Sequence, residues 1–383
     1  SVVYPNYRTL LSVMEGQTPS MTDFLSFQLL AAQQCAELGQ ALIFFNPFGN
    51  DIRMKFDNLI TLCPNLSMLV PGLLLLAATL CTATGRQVPG KWQQPNDRDI
   101  AWSLQVSSRI MEGEAVESVF WYDDAGARAL LSRLDWEMPR VVMLGGSASA
   151  TIGQLTLHAG FWTAVTEGEG GRMLDYDWTD FGSTKWTAFS DSNTDVVSAR
   201  TFDLSAEWTL IEDFHGLAFK GLLGLRVDDW SWEDSGGYGL YPQYGYVPYW
   251  FDPSVIEIMY EQQFSIPYVG FAADWQVGRW GVSANLRYSP LVSAESEDFH
   301  TYRNIRFSGT FDRGEMFGIG VSVAYTFDTG FFIAFSTAYQ LLDEIIGDLK
   351  ICECKNDTAT QFSDSAGIEN ETIALSLGLG MHF

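Results

Sequence analysis

Two short motifs hold the ionisable groups best placed to do chemistry, Asp175-Tyr176-Asp177 and Asp298-Phe299-His300. Each ends a stretch in which apolar and polar residues alternate with period two. In a strand, residues i and i+2 project from one face, so Asp175 and Asp177 point together, as do Asp298 and His300. A carboxylate beside an imidazole fixes its tautomer and stabilises the imidazolium. Two facing carboxylates crowd like charge, which raises one pKa and lets the pair share a proton. If the two strand ends meet, three carboxylates and one imidazole can hold and deprotonate a water molecule. Either motif alone is common in solvated loops, so the chemistry depends on elements that bring them together.

Those elements read as strands. In the last one, Ile373, Leu375, Leu377, Leu379, Met381 and Phe383 alternate with Ala374, Ser376, Gly378, Gly380 and His382. From Thr201, Phe202, Leu204, Ala206, Trp208 and Leu210 face opposite to Asp203, Ser205, Glu207 and Thr209. Apolar residues toward lipid and charged residues toward a lumen mark a transmembrane barrel. Ten strands are expected, near 100–113, 127–147, 150–166, 197–211, 216–232, 256–274, 279–293, 303–326, 330–343 and 367–383. Short turns are expected near 148–149, 212–215, 276–278 and 328–330, and long loops over 114–126, 167–196, 233–255, 294–302 and 344–366. The expected fold is all-β, a ten-stranded antiparallel transmembrane β-barrel with short periplasmic turns and long external loops. Asp175 and Asp177 then open the second long loop, and Asp298 and His300 lie in the fourth, all on the outer rim. A plain porin needs a wider barrel than ten strands give.

The chain has 383 residues, with 22 Lys and Arg against 47 Asp and Glu, a net charge of −25. That balance argues against nucleic acid, which wants a basic face, and favours cationic partners. Residues 54–85 read as a signal peptide, with Lys55, an apolar core from Leu66 to Leu80, and small residues at Ala83-Thr84-Gly85. Residues 1–53 then form an upstream segment outside the mature protein, and 86–383 the barrel. Of five cysteines, only Cys352 and Cys354 fall in that barrel. Their Cys-x-Cys spacing lacks the further ligands a metal needs, leaving a local disulfide or two exposed thiols. No metal is expected.

From about residue 100 to 383 the chain resembles the omptins, outer-membrane proteases of Gram-negative bacteria. Gly170–Asp180 is similar to the family's Asp-x-Asp-Trp-x-Asp signature, and Glu297-Asp298-Phe299-His300 to its Asp-x-His motif. Leu134-Asp135-Trp136, Ile266–Gly270 and Ala366–Asn370 match in the same order. The resemblance implies endopeptidase activity between basic residues, without cofactor. By carry-over His300 is the base, Asp298 orients it, Asp175 holds the attacking water with His300, and Asp177 supports it. Ser183 and Ser190 are candidate nucleophiles only in name, and Trp178 and Asp180 belong to the motif without a catalytic role. His158, His215 and His382 read as structural.

The same resemblance places an acidic pair at the floor of the pocket for the basic residue. Glu117 matches one member; the other falls on Ser296, so a neighbouring glutamate, Glu295 or Glu297, is expected to compensate or the preference to weaken. Ala188 replaces an acid that the family often places on the leaving side of the cleft. Lipopolysaccharide is implied as an activator held by outward basic residues. Two such positions fall on Asp229 and Gln263, and Arg226 is out of phase, so the dependence is either lost or met by a different patch. A second reading stays open, a weakly active barrel serving as an adhesin or host-protein receptor through its loops, the fifth above all.

Overall fold

The computed structural model describes residues 100–383 except Glu167, His215 and Asp357; the expected signal peptide (54–85) and upstream segment (1–53) lie outside the described residues. The strands are β1 (Ile100–Tyr122), β2 (Arg128–Ile152), β3 (Leu155–Ala164), β4 (Gly168–Asp177), β5 (Ala188–Phe214), β6 (Leu217–Leu240), β7 (Tyr249–Trp250), β8 (Ile256–Val277), β9 (Trp280–His300), β10 (Ile305–Thr326), β11 (Phe331–Glu353) and β12 (Thr358–His382). β3 and β4 act as one strand interrupted near 165–166, since both pair with β2 on one side and β5 on the other. β7 is a two-residue addition to the end of β6. The other connections join each strand to its sequence neighbour, and β1 closes on β12 from Ser103↔His382 to Val119↔Ala366. The result is a closed antiparallel ring of ten strands, with no open edge to leave backbone groups unpaired in lipid.

The sequence alternation explains the ring. Ile373, Leu375 and Leu377 are exposed on the outside, as are Phe202, Leu204, Trp208 and Leu210, while Ala374, Thr201 and Ser205 face in and are buried. Trp102, Phe219, Phe271, Trp275, Phe317 and Phe335 extend the outward apolar surface around the turn-side half. Tight turns join the strands at that end, where Gly153 and Gly278 take φ of +56° and +59°, a conformation open to glycine without a Cβ clash. Among the described residues no helix is long and apolar enough to cross a membrane; strands do the crossing.

Inside that half the charges are matched. Arg226 Nε lies 2.7 Å from Asp228 Oδ2, Arg287 Nη1 is 2.9 Å from Asp203, and Thr201 donates to Asp228 at 2.7 Å. Gln340 donates to Asp228 from across the lumen at 3.1 Å. Toward the other end the lumen fills with aromatic side chains. Trp136 stacks on Tyr260 with centroids 5.1 Å apart, and Trp232 lies 5.6 Å from the same ring. Trp230, Phe264 and Phe311 complete this buried layer.

The strands run much further than the sequence indicates. Of the expected long loops, most of 114–126, 167–196, 294–302 and 344–366 is paired strand, and true turns remain only near 123–127, 178–187, 241–255, 301–304 and 354–357. The cause is solvent. Beyond the lipid the outward face is wet and turns polar, so the apolar outward stripe that marks a strand in the sequence fades, while the backbone ladder continues. The turn expected at 148–149 is also displaced: Ser149 pairs with His158 and the chain turns at Gly153-Gln154. Small residues there line a tight interior rather than a bend.

The outward belt predicts a depth-dependent response. Leu377→Arg should destabilise the folded barrel by about 2–4 kcal/mol, the range for a cation at the midplane. Glu261→Arg, outward but beyond the belt, should change it by less than about 0.5 kcal/mol. Urea unfolding in lipid vesicles measures both; equal effects would contradict the assigned membrane level.

Candidate active site

The two motifs lie on strand ends, not loops. Asp175 and Asp177 end β4, opposite Leu134 and Ser132 of β2 and Ser190 and Ala188 of β5. Asp298 and His300 end β9, opposite Tyr260 and Ile258 of β8 and Phe307 and Ile305 of β10. Both pairs project into the mouth at the end away from the tight turns, above the aromatic layer. Alternation sets the direction on β4: Met173 is buried inside, and Arg172 points out to pair with Asp191.

His300 Nε2 lies 2.8 Å from Asp298 Oδ2. Ser132 donates to Asp175 Oδ1 at 3.3 Å. Glu117 faces the same space from β1 and is buried. Burial, then the charges of Asp177 and Asp298, push the Asp175 carboxyl well above the ordinary carboxylate range. Burial raises Asp177 too, opposed by Ser132, Arg303 and His300. Glu117 is pushed well up by burial, then by Asp298 and Asp175. Glu117 and Asp175 flank Leu134 in one row across β1, β2 and β4, and burial with mutual repulsion keeps protons on these carboxyls where isolated ones would lose them. Glu117 Oε2 and Asp298 Oδ1 are buried without a hydrogen-bond donor from the protein, two acceptors suited to a bound cation or amide.

Three further side chains complete the site. Arg303, in the turn after β9, closes on His300: its Nη2 donates to Nδ1 and lies 3.1 Å from Nε2. Asp234 of β6 accepts the Ile258 N–H at 2.5 Å, bracing the strand beside His300, and burial pushes its carboxyl up to about 6. Burial also raises Tyr241 to about 12, with Asp175, Glu257 and Asp177 adding to the shift. Arg303 gave no sequence signal beyond its nearness to His300. Asp234 did, since Trp230, Trp232 and Asp234 alternate on one inward face.

The remaining candidates sort by strand phase. Ser296 faces the lumen, two residues before Asp298, and is buried. Glu295 and Glu297 face outward, Glu297 pairing with Arg306 at 3.2 Å, so the compensation expected of a neighbouring glutamate does not occur. Their odd positions on β9 turn them away from the even ones that line the cleft. Ala188 is buried opposite Asp177. Ser190 faces in on β5, and Ser183 bonds Lys185 in the turn; among the described residues no hydrogen bond links either serine to a histidine. Trp178 packs against Tyr176 and Asp180 supports the turn through Ser183. His158 sits by Glu207 and His382 against Phe332, far down the barrel; His215 lies outside the described residues. Arg226 points inward, while Asp229 faces out beside Arg200 at 3.7 Å. Cys352 and Cys354 are thiols with sulfurs 4.0 Å apart at the β11–β12 tip. Among the described residues, no group of His, Cys, Asp and Glu is arranged to hold a metal ion.

The Omptin family model matches residues 99–383. The chain belongs to the omptin family. It is similar to the plasminogen activator of Yersinia pestis, 28% identical over 76% of this chain and 92% of that protein. It is also similar to the outer membrane protease OmpP of Escherichia coli K12, at 25% over 73% and 90%. The crystal structure of the outer membrane protease OmpT from Escherichia coli shares the fold, with a TM-score of 0.69 at 21% identity, covering 78% of this chain and all of that one. Membership of this omptin group makes the chain an outer-membrane protease of the Gram-negative type.

Arg303 holds down the carboxyl pKa of both Asp175 and Asp177. Removing it in Arg303→Gln should therefore move the acid limb of the pH–activity profile to higher pH. An unmoved or lowered limb would show that Arg303 does not act on the pair.

Proposed function

We propose that the protein is an endopeptidase that hydrolyses peptide bonds beside basic residues, using a water activated by His300 and Asp175. The barrel mouth that holds these groups faces the cell exterior. The observation that carries this reading is the 2.8 Å Asp298–His300 bond set across one buried cleft from the Asp175–Asp177 pair. With Nε2–H donating to Asp298, the lone pair of His300 sits on Nδ1. That nitrogen takes the proton of the water, Asp175 aligns the water's oxygen on the scissile carbonyl, and Asp177 shares the proton held by the acidic pair. The imidazolium then returns the proton to the leaving amine. Arg303 contacts Nδ1 in the unliganded site, so it swings aside before proton transfer. No acyl-enzyme forms, because water is the nucleophile.

Substrate choice rests on Glu117, whose buried and unpaired Oε2 accepts from a cationic side chain. With Ser296 in place of a second acid, the pocket offers one carboxylate and a hydroxyl. Arg prefers a fork of acceptors while Lys acts as a point charge, so discrimination between the two is weaker here than with a paired acid. Lipopolysaccharide acts at most as a weak activator: the outward Arg140, Arg172 and Arg200 each face a carboxylate, Glu112, Asp191 and Asp229 respectively, with which a lipid phosphate must compete. The receptor reading loses its main motive, because the expected fifth loop is mostly strand.

Cleavage of a dibasic fluorogenic peptide by lipid-reconstituted protein tests the mechanism. His300→Ala and Asp175→Ala should each lower kcat by about 10²–10⁴-fold, with the barrel still folded. Full activity in either would sink it. Ser296→Asp should sharpen the preference for Arg over Lys, read by peptide-library digestion with mass spectrometry.

A further inference from the structure

The β6–β8 connection carries an aromatic surface that the hydrolytic chemistry does not use. Seven of the fourteen residues from Tyr238 to Phe251 are aromatic and none is charged. The segment is built, not loose: Pro242–Tyr244 forms a 3-10 turn, Tyr246 N–H bonds Tyr241 O at 3.1 Å, and Tyr249 and Trp250 pair with Gly239 and Tyr238. Tyr244 and Tyr249 stack with centroids 5.2 Å apart at 11°, and Trp250 lies 5.5 Å from Tyr238. Their outer surfaces stay open, with Trp250 72% exposed, Tyr244 51% and Tyr249 50%. Exposed apolar rings held in fixed register mark a recognition surface rather than a core.

Its position and charge indicate the occupant. The strand that carries the rim runs into the cleft, since Gly239 pairs with Ser190, itself the partner of Asp175. At its other end the connection enters β8, where the Thr301 N–H bonds Glu257 O at 2.9 Å and Ile258 pairs with His300. From 227 to 278 there is no Lys or Arg, against eight Asp and Glu. Guanidinium and ammonium groups bind aromatic faces, and no cation in this segment competes for them. Successive residues of β7 turn to opposite faces, so the Tyr244–Tyr249 stack lies on the mouth side of the rim and the Trp250–Tyr238 pair on its outer side.

We propose that this aromatic rim is an exosite for the cationic flank of a polypeptide substrate, gripping Arg and Lys side chains remote from the bond being cut. The proposal rests on the proteolytic reading and adds a second, separable point of contact. Kinetics on two substrates with the same dibasic bond test it, one a short peptide and the other extended by an Arg-rich flank. Tyr244→Ala/Tyr249→Ala/Trp250→Ala should raise KM for the extended substrate by about ten-fold and leave kcat and the short peptide unchanged. The matching Phe substitutions should restore KM. Equal effects on both substrates, or none, would overturn the exosite.

Binding separates this from failure of the hydrolytic mechanism. In full-length His300→Ala, an Arg-rich peptide without a cleavable bond should quench tryptophan fluorescence, and the triple Ala substitution should abolish the quenching. Binding without any cleavage in the parent protein would reject the protease chemistry and keep the exosite. Binding of a neutral oligosaccharide in place of the peptide would reject the exosite and make the rim a glycan platform.

Discussion

The site depends on one contact across the lumen, the stack of Trp136 on Tyr260. Trp136 belongs to β2 and Tyr260 to β8, strands on opposite walls of the ring. Tyr260 is the direct partner of Asp298, and Trp136 is the partner of Met173, two residues before Asp175. The stack thus sets the gap between the two motifs, neither of which touches the other's strand. Trp232 from β6 packs on both rings and keeps them from sliding. An aromatic pair of this kind contributes about 0.5–1.5 kcal/mol beyond the area it buries. That is modest in stability, but it holds facing groups to a fraction of an ångström. The same layer forms a dry floor, and the raised pKa values of Asp175 and Glu117 follow first from burial against it.

The two halves of the lumen treat charge in opposite ways. Near the turns, Arg226 meets Asp228, Arg287 meets Asp203 and Lys220 bridges Glu207 and Asp274. Each of these ions has a partner of opposite charge, which offsets a desolvation of several kcal/mol. Above the aromatic floor the balance fails: Glu117, Asp175, Asp177, Asp298 and Asp234 face Arg303 and His300. Such an imbalance destabilises the empty barrel, and the paired lower half and closed ladder offset it. It also gives the mouth a field that draws cations inward.

The barrel, its ten strands and the two acidic motifs are legible in the sequence because lipid imposes a strict contrast between faces. Ile373, Leu375 and Leu377 against Ala374 and Ser376 leave one reading of the last strand. The contrast ends at the membrane surface, and legibility ends with it. β11 and β12 continue through Glu353 and from Thr358, yet above the lipid only their inward face stays apolar, at Ile345, Leu349, Ala366 and Ile368, while the outward face turns polar and the stretch reads as loop. Phase reasoning would have separated Ser296 from Glu295 and Glu297 once the strand was known to reach His300. Arg303 was hidden for a different reason: it reaches His300 from a turn, and turns carry no period from which a side chain's direction can be read.

On the proposed reading, the serine at 296 and the aromatic rim divide the labour of holding a cationic substrate. A pocket of two buried acids binds a guanidinium tightly but stores their repulsion whenever it is empty, beside an Asp175–Asp177 pair already pushed toward protonation. Replacing one acid by Ser296 removes part of that repulsion and part of the grip. The lost affinity has to come from contacts that do not crowd more charge into the cleft. Rings do this, because an aromatic face attracts a cation through its quadrupole without carrying a charge of its own. Tyr244, Tyr249 and Trp250 lie outside the dry zone, where neither their exposure nor a bound cation disturbs the proton shared by Asp175 and Asp177. Affinity can then rise at the rim while the acidic pair keeps the ionisation that activating water demands.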